Sequence, residues 1–465
     1  MLARRLGLLL LLLGLSPALQ ALNQVSSDTL RLSFSDSGQL ESAIACFPSC
    51  SDENTRLQQV ADETTVGWDE FTGGAWSRAI ERSEKEYRLR FEHSSGASAE
   101  WTIPARGYRI ELELDVPGDL ALRSGEPFRP REAAGFGAWL EQARYVILGD
   151  GEVTQLGYDD ESEVSATDSQ WIGFRNRFWA VLAAPPATSE ASLLTAEGRQ
   201  DADLRITAEP GTWSFYIGPV EPNALAQAAE GLDKVLYAGL WFWLRWICLG
   251  LFQLLAWIQL WIPSWGLAIV ALSLVVSILM WPLNRIAERL QIEVSDIEER
   301  LAPELQRIKS RHKGAEQSEK ILALYKAENV HPLYSLKGML GLILVIPVFI
   351  GAFGMLAENI HLLNTPFLWM RDLSRPDGLF ELPFPLPFFG AEFNLLPFVM
   401  AGLSVIASKL HQPPSANAGL RRRQRLNMIL MSVLFFGLFY TFPAGMVLYW
   451  TTNNLVSVIR NLRNF

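Results

Sequence analysis

Few side chains in this sequence could do chemistry. Cys46 and Cys50 flank Phe47-Pro48-Ser49. In an oxidising compartment such a pair can form a structural disulfide; two free thiols are the alternative, and the C-x-x-x-C spacing is not that of a redox C-x-x-C pair. Cys248 lies in an apolar stretch and reads as packing. Asp159, Asp160, Glu161 and Glu163 form an acidic cluster that lacks the glycine and terminal glutamate of a calcium loop. A solvated loop is the plainer reading, so no metal is expected. His93 has no Ser or Cys partner pattern, and there is no P-loop, H-E-x-x-H or G-x-S-x-G motif. Neither an enzyme nor a cofactor is expected. The remaining polar chemistry sits inside apolar runs: Ser273 and Ser277 four apart, Ser404 and Ser408 repeating that spacing, and Thr451, Thr452, Asn453 and Asn454 together. Such groups either knit helices to one another or line a wet path through hydrocarbon.

The elements that must hold these residues divide the chain. The net charge of −10 hides an asymmetry: residues 23–233 carry 36 acids against 17 bases, and residues 234–465 carry 14 against 21. Nucleic acid is disfavoured, because no basic patch lies on a soluble domain. The hydrophobic fraction of 49% excludes a disordered chain. Residues 1–22 read as a signal peptide: Arg4 and Arg5, then an apolar Leu6–Leu15, then small residues at Ser16, Ala18 and Ala21. An uncleaved anchor is the alternative. Residues 23–228 alternate apolar and polar, most clearly at Tyr108, Ile110, Leu112, Leu114 and Val116. That period predicts half-buried antiparallel strands and one exported β-sandwich.

From about residue 229 the pattern changes. Residues 229–263 are predicted to form an interfacial amphipathic helix, rich in tryptophan, with Lys234, Arg245 and Gln259 on one polar stripe. Five spans are then expected, at about 264–284, 338–357, 393–408, 426–442 and 445–460. Between the first two lies a charged helical hairpin over 285–330. Its first arm carries Ile286, Leu290, Val294, Ile297, Leu301, Leu305 and Ile308, and its second carries Ile321, Leu322 and Tyr325 on one side. Loop 285–337 holds ten Lys and Arg residues, whereas 358–392 holds only Arg371 and Arg375. That bias puts the hairpin and C-terminus in the cytoplasm. The expected fold class is thus a multi-domain membrane protein: an all-β periplasmic sandwich plus an α-helical bundle of five transmembrane helices with a cytoplasmic hairpin.

The second half resembles the YidC/Oxa/Alb family of membrane protein insertases, in its bacterial YidC type. The resemblance is carried by Trp265-Gly266 with Met280-Trp281-Pro282-Leu283, and by the run from Ala323-Leu324-Tyr325 to His331-Pro332-Leu333. It is also carried by Ile346-Pro347-Val348-Phe349 with Pro366-Phe367-Leu368-Trp369 and Asp372-Leu373-Ser374, and by Phe442-Pro443-Ala444-Gly445 through Trp450 with Asn454-Leu455-Val456. Trp171–Trp179 and Tyr216-Ile217-Gly218-Pro219 match more faintly.

The resemblance implies five spans around a hydrophilic groove, open to cytoplasm and lipid, that inserts membrane proteins without ATP. Ser273, Ser277, Ser404, Ser408, Tyr449, Trp450, Thr451, Thr452 and Asn453 are the expected groove residues, with Arg285, Arg289 and Lys337 at its cytoplasmic mouth. Nascent integral membrane proteins and membrane lipids are the implied partners, with the Sec translocon and ribosome as further ones. One departure stands out. The family usually places an arginine five residues before the proline that ends the second segment, and here that position is Ser277. Two functions follow: an insertase and chaperone of the inner membrane with a neutral groove, or a non-inserting assembly or scaffold factor.

Overall fold

The computed structural model describes residues 23–68, 75–115, 118–149, 151–158, 169–186, 190–193, 200–208, 210–410 and 418–463. The expected signal at 1–22 and the acidic cluster at 159–163 lie outside the described residues, as does the Lys337 side chain. The chain forms two units: Met1–Glu132 with Ala138–Gly239, and Ala133–Gly137 with Leu240–Phe465.

The first unit is a sandwich of two antiparallel sheets, of eight and nine strands among the described residues. The period-two pattern explains it. Glu86–His93, Ser98–Pro104 and Arg109–Leu114 lie side by side, with Leu89 opposite Trp101 and Trp101 opposite Leu112. Leu89, Trp101 and Leu112 are wholly buried, while Arg88, Arg90 and Glu113 between them reach solvent. The inner faces meet where the Phe34 ring packs 5.4 Å from Trp101 and 6.2 Å from Phe91. Trp101 Nε1 donates to the Gly38 carbonyl of the other sheet at 2.8 Å. Cys46 and Cys50 are disulfide-bonded, which closes the open alternative. The unit ends in a short helix, α1 (Pro222–Ala228), capped by Glu221.

The second unit is helical. Its helices are α2 (Phe242–Trp261), α3 (Trp265–Arg311), α4 (Gly314–Ala327), α5 (Ser335–Ala357), α6 (Leu396–Leu410), α7 (Ala418–Phe439) and α8 (Ala444–Arg463). A two-stranded ribbon, Phe380–Leu386 with Gly390–Phe393, joins α5 to α6. Among the described residues, α2 and α3 are long and apolar enough to cross a membrane, while Val345–Ala357, Leu396–Leu410 and Ile429–Phe439 are shorter apolar stretches.

Three expectations are corrected. The helix placed at 229–263 begins only at Phe242, after a turn at Leu232–Val235. Lys234 therefore sits off the helix, donating to the Gly151 carbonyl, and the three-residue stripe does not form. Buried Leu244, Cys248, Leu251 and Leu255 give α2 an apolar inner face instead. Gly351 of α5 lets that face approach: a Cβ there would sit 2.5 Å from Ile247. Second, the span and the first hairpin arm are one 47-residue helix, α3, running through Pro282 and Pro303. Proline removes one backbone donor but the amphipathic repeat continues in phase beyond it, so packing carries the helix on. Third, Leu322 is 51% exposed. The hairpin closes instead on a core of Val294, Leu301, Val330 and Tyr334, flanked by Ile297, Leu305, Leu324 and Tyr325.

Candidate functional site

The polar residues read from the sequence lie on α3, α6 and α8, and those of α3 meet α8. Ser273 is completely buried and donates to the Tyr449 carbonyl of α8 at 3.1 Å. One turn further, half-buried Ser277 lies 2.7 Å from the Ser273 carbonyl and 2.6 Å from the Asn453 side-chain amide. A hydroxyl has a single hydrogen. Its two acceptors, the Ser273 carbonyl and Asn453 Oδ1, share that hydrogen. On the far side of α8, Asn454 Nδ2 donates to the Met400 carbonyl at 3.2 Å and Asn461 Nδ2 to the Ala407 carbonyl at 3.1 Å. Four-residue steps put Ser457 on the Asn453 side of α8, while Asn461, seven residues after Asn454, falls on the Asn454 side.

The other expected residues are placed less uniformly. Tyr449 is wholly buried, and the Phe349 ring stacks on Trp450 at 4.3 Å. Thr451 and Thr452 are buried and give their hydroxyls to their own helix, to Val447 and Leu448. Ser404 and Ser408 sit half-buried on α6. At the hairpin end, Arg285 is exposed and lies 4.3 Å over the Trp281 ring, and Arg289 is exposed. Arg460 of α8 pairs with Glu288 at 3.3 Å. In the hairpin, burial, helped by Tyr325 and Glu298, raises the pKa of Tyr334. In the sandwich, the His93 ring lies 2.7 Å from Ser95 Oγ in the turn after its strand, a local tie.

The opposite end of the helices is fastened by residues that sequence reading passed over. Gly266 opens α3 against the Phe367 ring, where a Cβ would sit 2.1 Å from the ring. Trp265 stacks on His361 at 4.6 Å. Asp372 Oδ1 accepts from Asn364 N and from Ser374 N and Oγ, at 2.7–3.0 Å. The first amides of α8, at Ala444 and Gly445, donate to the Arg375 and Leu373 carbonyls. Asp377, 3% exposed, accepts from Trp369 Nε1 and from Leu395 N and Leu396 N, capping α6. Asn394 donates to the Tyr440 carbonyl at 2.8 Å. The separate motifs thus converge on one knot of hydrogen-bonded polar groups. Neither Asp377, 19 residues ahead of α6, nor Asn394 stands immediately before that helix, so no N-cap signal in the sequence marks them.

Comparison with known proteins places this arrangement. The model of the family described as 60Kd inner membrane protein matches residues 257–463. A membrane protein insertase YidC of Ralstonia nicotianae is 29% identical over 431 residues, which is 85% of this chain and 71% of that protein. The YidC insertase of Cellvibrio japonicus is 32% identical over 303 residues, 62% of this chain and 50% of its own. A solved structure of an active YidC insertase with its first transmembrane domain resolved overlays 99% of both chains at 18% identity and a TM-score of 0.38, too loose to bear on the architecture. Residues 257–463 thus match the 60Kd inner membrane protein family, and the chain is similar to YidC insertases over a larger stretch, about half to seven tenths of those relatives' length.

Proposed function

We propose that this chain is a membrane protein insertase and chaperone of the bacterial inner membrane that works without ATP. On this reading the sandwich stands in the periplasm, α2 lies along the interface, and α3, α5, α6, α7 and α8 cross the bilayer with the C-terminus in the cytoplasm. Its partners are nascent integral membrane proteins and lipids, with the α3–α4 hairpin offered to a ribosome or nascent chain and the Sec translocon as a further associate.

The observation that supports the reading best is the half-buried Ser277–Asn453 pair between α3 and α8. A client's polar tail needs hydrogen-bond partners on its way across hydrocarbon, and polar side chains inside a bundle supply them. The 15-residue α6 spans about 22 Å at about 1.5 Å per residue, short of a ~30 Å core. A short helix thins the bilayer beside it and shortens the dry path. No fixed charge stands at position 277, so acidic tails find dipoles rather than a cation.

The test is reconstitution of the full chain in nucleotide-free liposomes with short-tailed client proteins, scored by protease protection. Insertion is expected, and Ser277→Arg is expected to help acidic tails more than neutral ones. No insertion of any client would overturn the reading. It would favour the scaffold alternative, which draws support from the same pair: a hydroxyl already bonded across two helices is doing a structural job.

A further inference from the structure

The ribbon between α5 and α6 leaves an apolar surface open. Phe380 is 52% exposed, Phe384 63% and Phe388 52%, with Leu386 also exposed. An isolated two-stranded hairpin is marginal in water. This one nevertheless has a fixed root. Asp377 and Asn394 pin its two ends to Trp369, to the start of α6 and to Tyr440.

The faces differ in kind. Phe380 pairs with Phe393, their rings stacked at 4.9 Å, and the neighbouring pair is Glu381 with Glu392. Successive pairs point to opposite sides of a ribbon, so the carboxylates stand on the side away from the stacked rings. The aromatic surface continues into the helices: Phe393 stacks on Phe398 of α6 at 5.3 Å, and Phe398 packs 4.7 Å from Phe436 of α7. Phe398 and Val399 are themselves 45% and 40% exposed. Pro383, Pro385 and Pro387 bring no N–H groups. A strand so poor in donors is a bad template for a partner strand and is well suited to a medium that cannot solvate bare amides. From Gly378 to Asn394 there is no Lys or Arg, so anionic headgroups have nothing to attract.

We infer that the Phe380–Phe393 ribbon is a lipid anchor: its phenylalanine face lies in the headgroup–acyl boundary, continuous with the lipid-facing side of α6, and Glu381 and Glu392 face water. This rests on the membrane reading of α3 and α6. The anchor fixes the non-cytoplasmic end of the short helix α6 at one depth. Buried aromatic area holds it there, without anionic lipid.

Spin labels on the full-length protein test it, in a Cys248→Ala background reconstituted in phosphatidylcholine vesicles. The labelled variants are Phe384→Cys, Glu381→Cys and Leu274→Cys, the last on the exposed side of α3. The labels at 384 and 274 should collide more with oxygen than with a water-soluble nickel chelate, and the label at 381 the reverse. Adding phosphatidylglycerol should change neither. Nickel-favouring collision at 384 with oxygen-favouring collision at 274 overturns the anchor and leaves the membrane reading standing. Nickel-favouring collision at 274 overturns both. Protection at 384 only after a client is added, or dipolar coupling between two 384 labels, assigns the face to a client or a second copy and refutes the anchor.

Discussion

Breaking the Ser277–Asn453 bond separates its structural role from its functional one. The perturbation is a double-mutant cycle of Ser277→Ala and Asn453→Ala. Interhelical hydrogen bonds in hydrocarbon average about 0.6 kcal/mol and reach about 1.7. Here Ser277 Oγ sits 2.6 Å from Asn453 Oδ1, and the Ser273 carbonyl at 2.7 Å competes for the same hydrogen, which keeps the bond below the upper figure. Half-burial lets water reach both partners once one is removed, which lowers the cost of an orphaned group below the ~1–3 kcal/mol of a sealed site. These limits put the coupling near ~1 kcal/mol, about fivefold in the unfolding equilibrium. Reversible unfolding in bicelles measures it. The control is Asn461→Ala, which breaks a similar α8 bond to the Ala407 carbonyl of α6. If the seam is a client path, Ser277→Ala lowers insertion beyond what its stability loss explains, while Asn461→Ala lowers stability and spares insertion. Additivity within ~0.3 kcal/mol would show that the bond carries no coupling. Insertion falling in proportion to stability in both variants would refute the path.

Gly266→Leu should destabilise the helical unit by ~1–3 kcal/mol through overpacking on Phe367, and Phe367→Ala added to it should recover most of that loss; thermal unfolding of the four proteins checks both. Leu301→Ala removes a 2% exposed side chain from the hairpin core. It should cost ~2–5 kcal/mol locally and speed protease cleavage between α3 and α4, with no change in the sandwich. Burial raises the pKa of Tyr108, helped by Glu221 and Asp28, and burial does the same to Tyr216. Because the folded state keeps these protons, their contribution is whole below the unfolded tyrosine pKa of ~10 and is lost as pH rises past it. Alkaline titration of the full chain, followed by near-ultraviolet absorbance, should therefore show a share of the tyrosine ionisation only with unfolding of the sandwich, and Tyr108→Phe should reduce that share.

Much of the sandwich was legible because each strand carries its own answer: alternation at Tyr108 to Leu114 decides which side is buried, whatever its neighbours do. The helical unit was legible in content and less so in extent. Pro282 and the first charges after it read as the end of a helix, yet packing along the continuing repeat kept α3 whole. Lys234 fell on a stripe with Arg245 only if one helix ran through both, and a turn at Leu232–Val235 separates them. Ser273 and Ser277 were found from their spacing and do meet α8. Their partners were not readable, since the Tyr449 carbonyl and the Asn453 amide are distant in sequence and a backbone acceptor has no residue type. The knot around Asp372, Asp377 and Asn394 was invisible for the same reason: loop carboxylates and amides gain meaning only when folding delivers other segments' N–H groups to them.

The continuity of α3 has a mechanical consequence. Between Pro282 and Arg311 it is a rod of ~44 Å, braced at its far end by the Val294–Tyr334 core. No loop interrupts it between that tip and Ser277. A tilt of the whole helix by ~10° about Pro282 sweeps the tip through ~8 Å. Run in reverse, the same gearing reduces a large push at the tip to a small rotation beside Asn453. A load applied to the hairpin is thereby delivered as torque at the Ser277–Asn453 contact. The helix is a lever with a short arm beside α8 and a long arm in the hairpin.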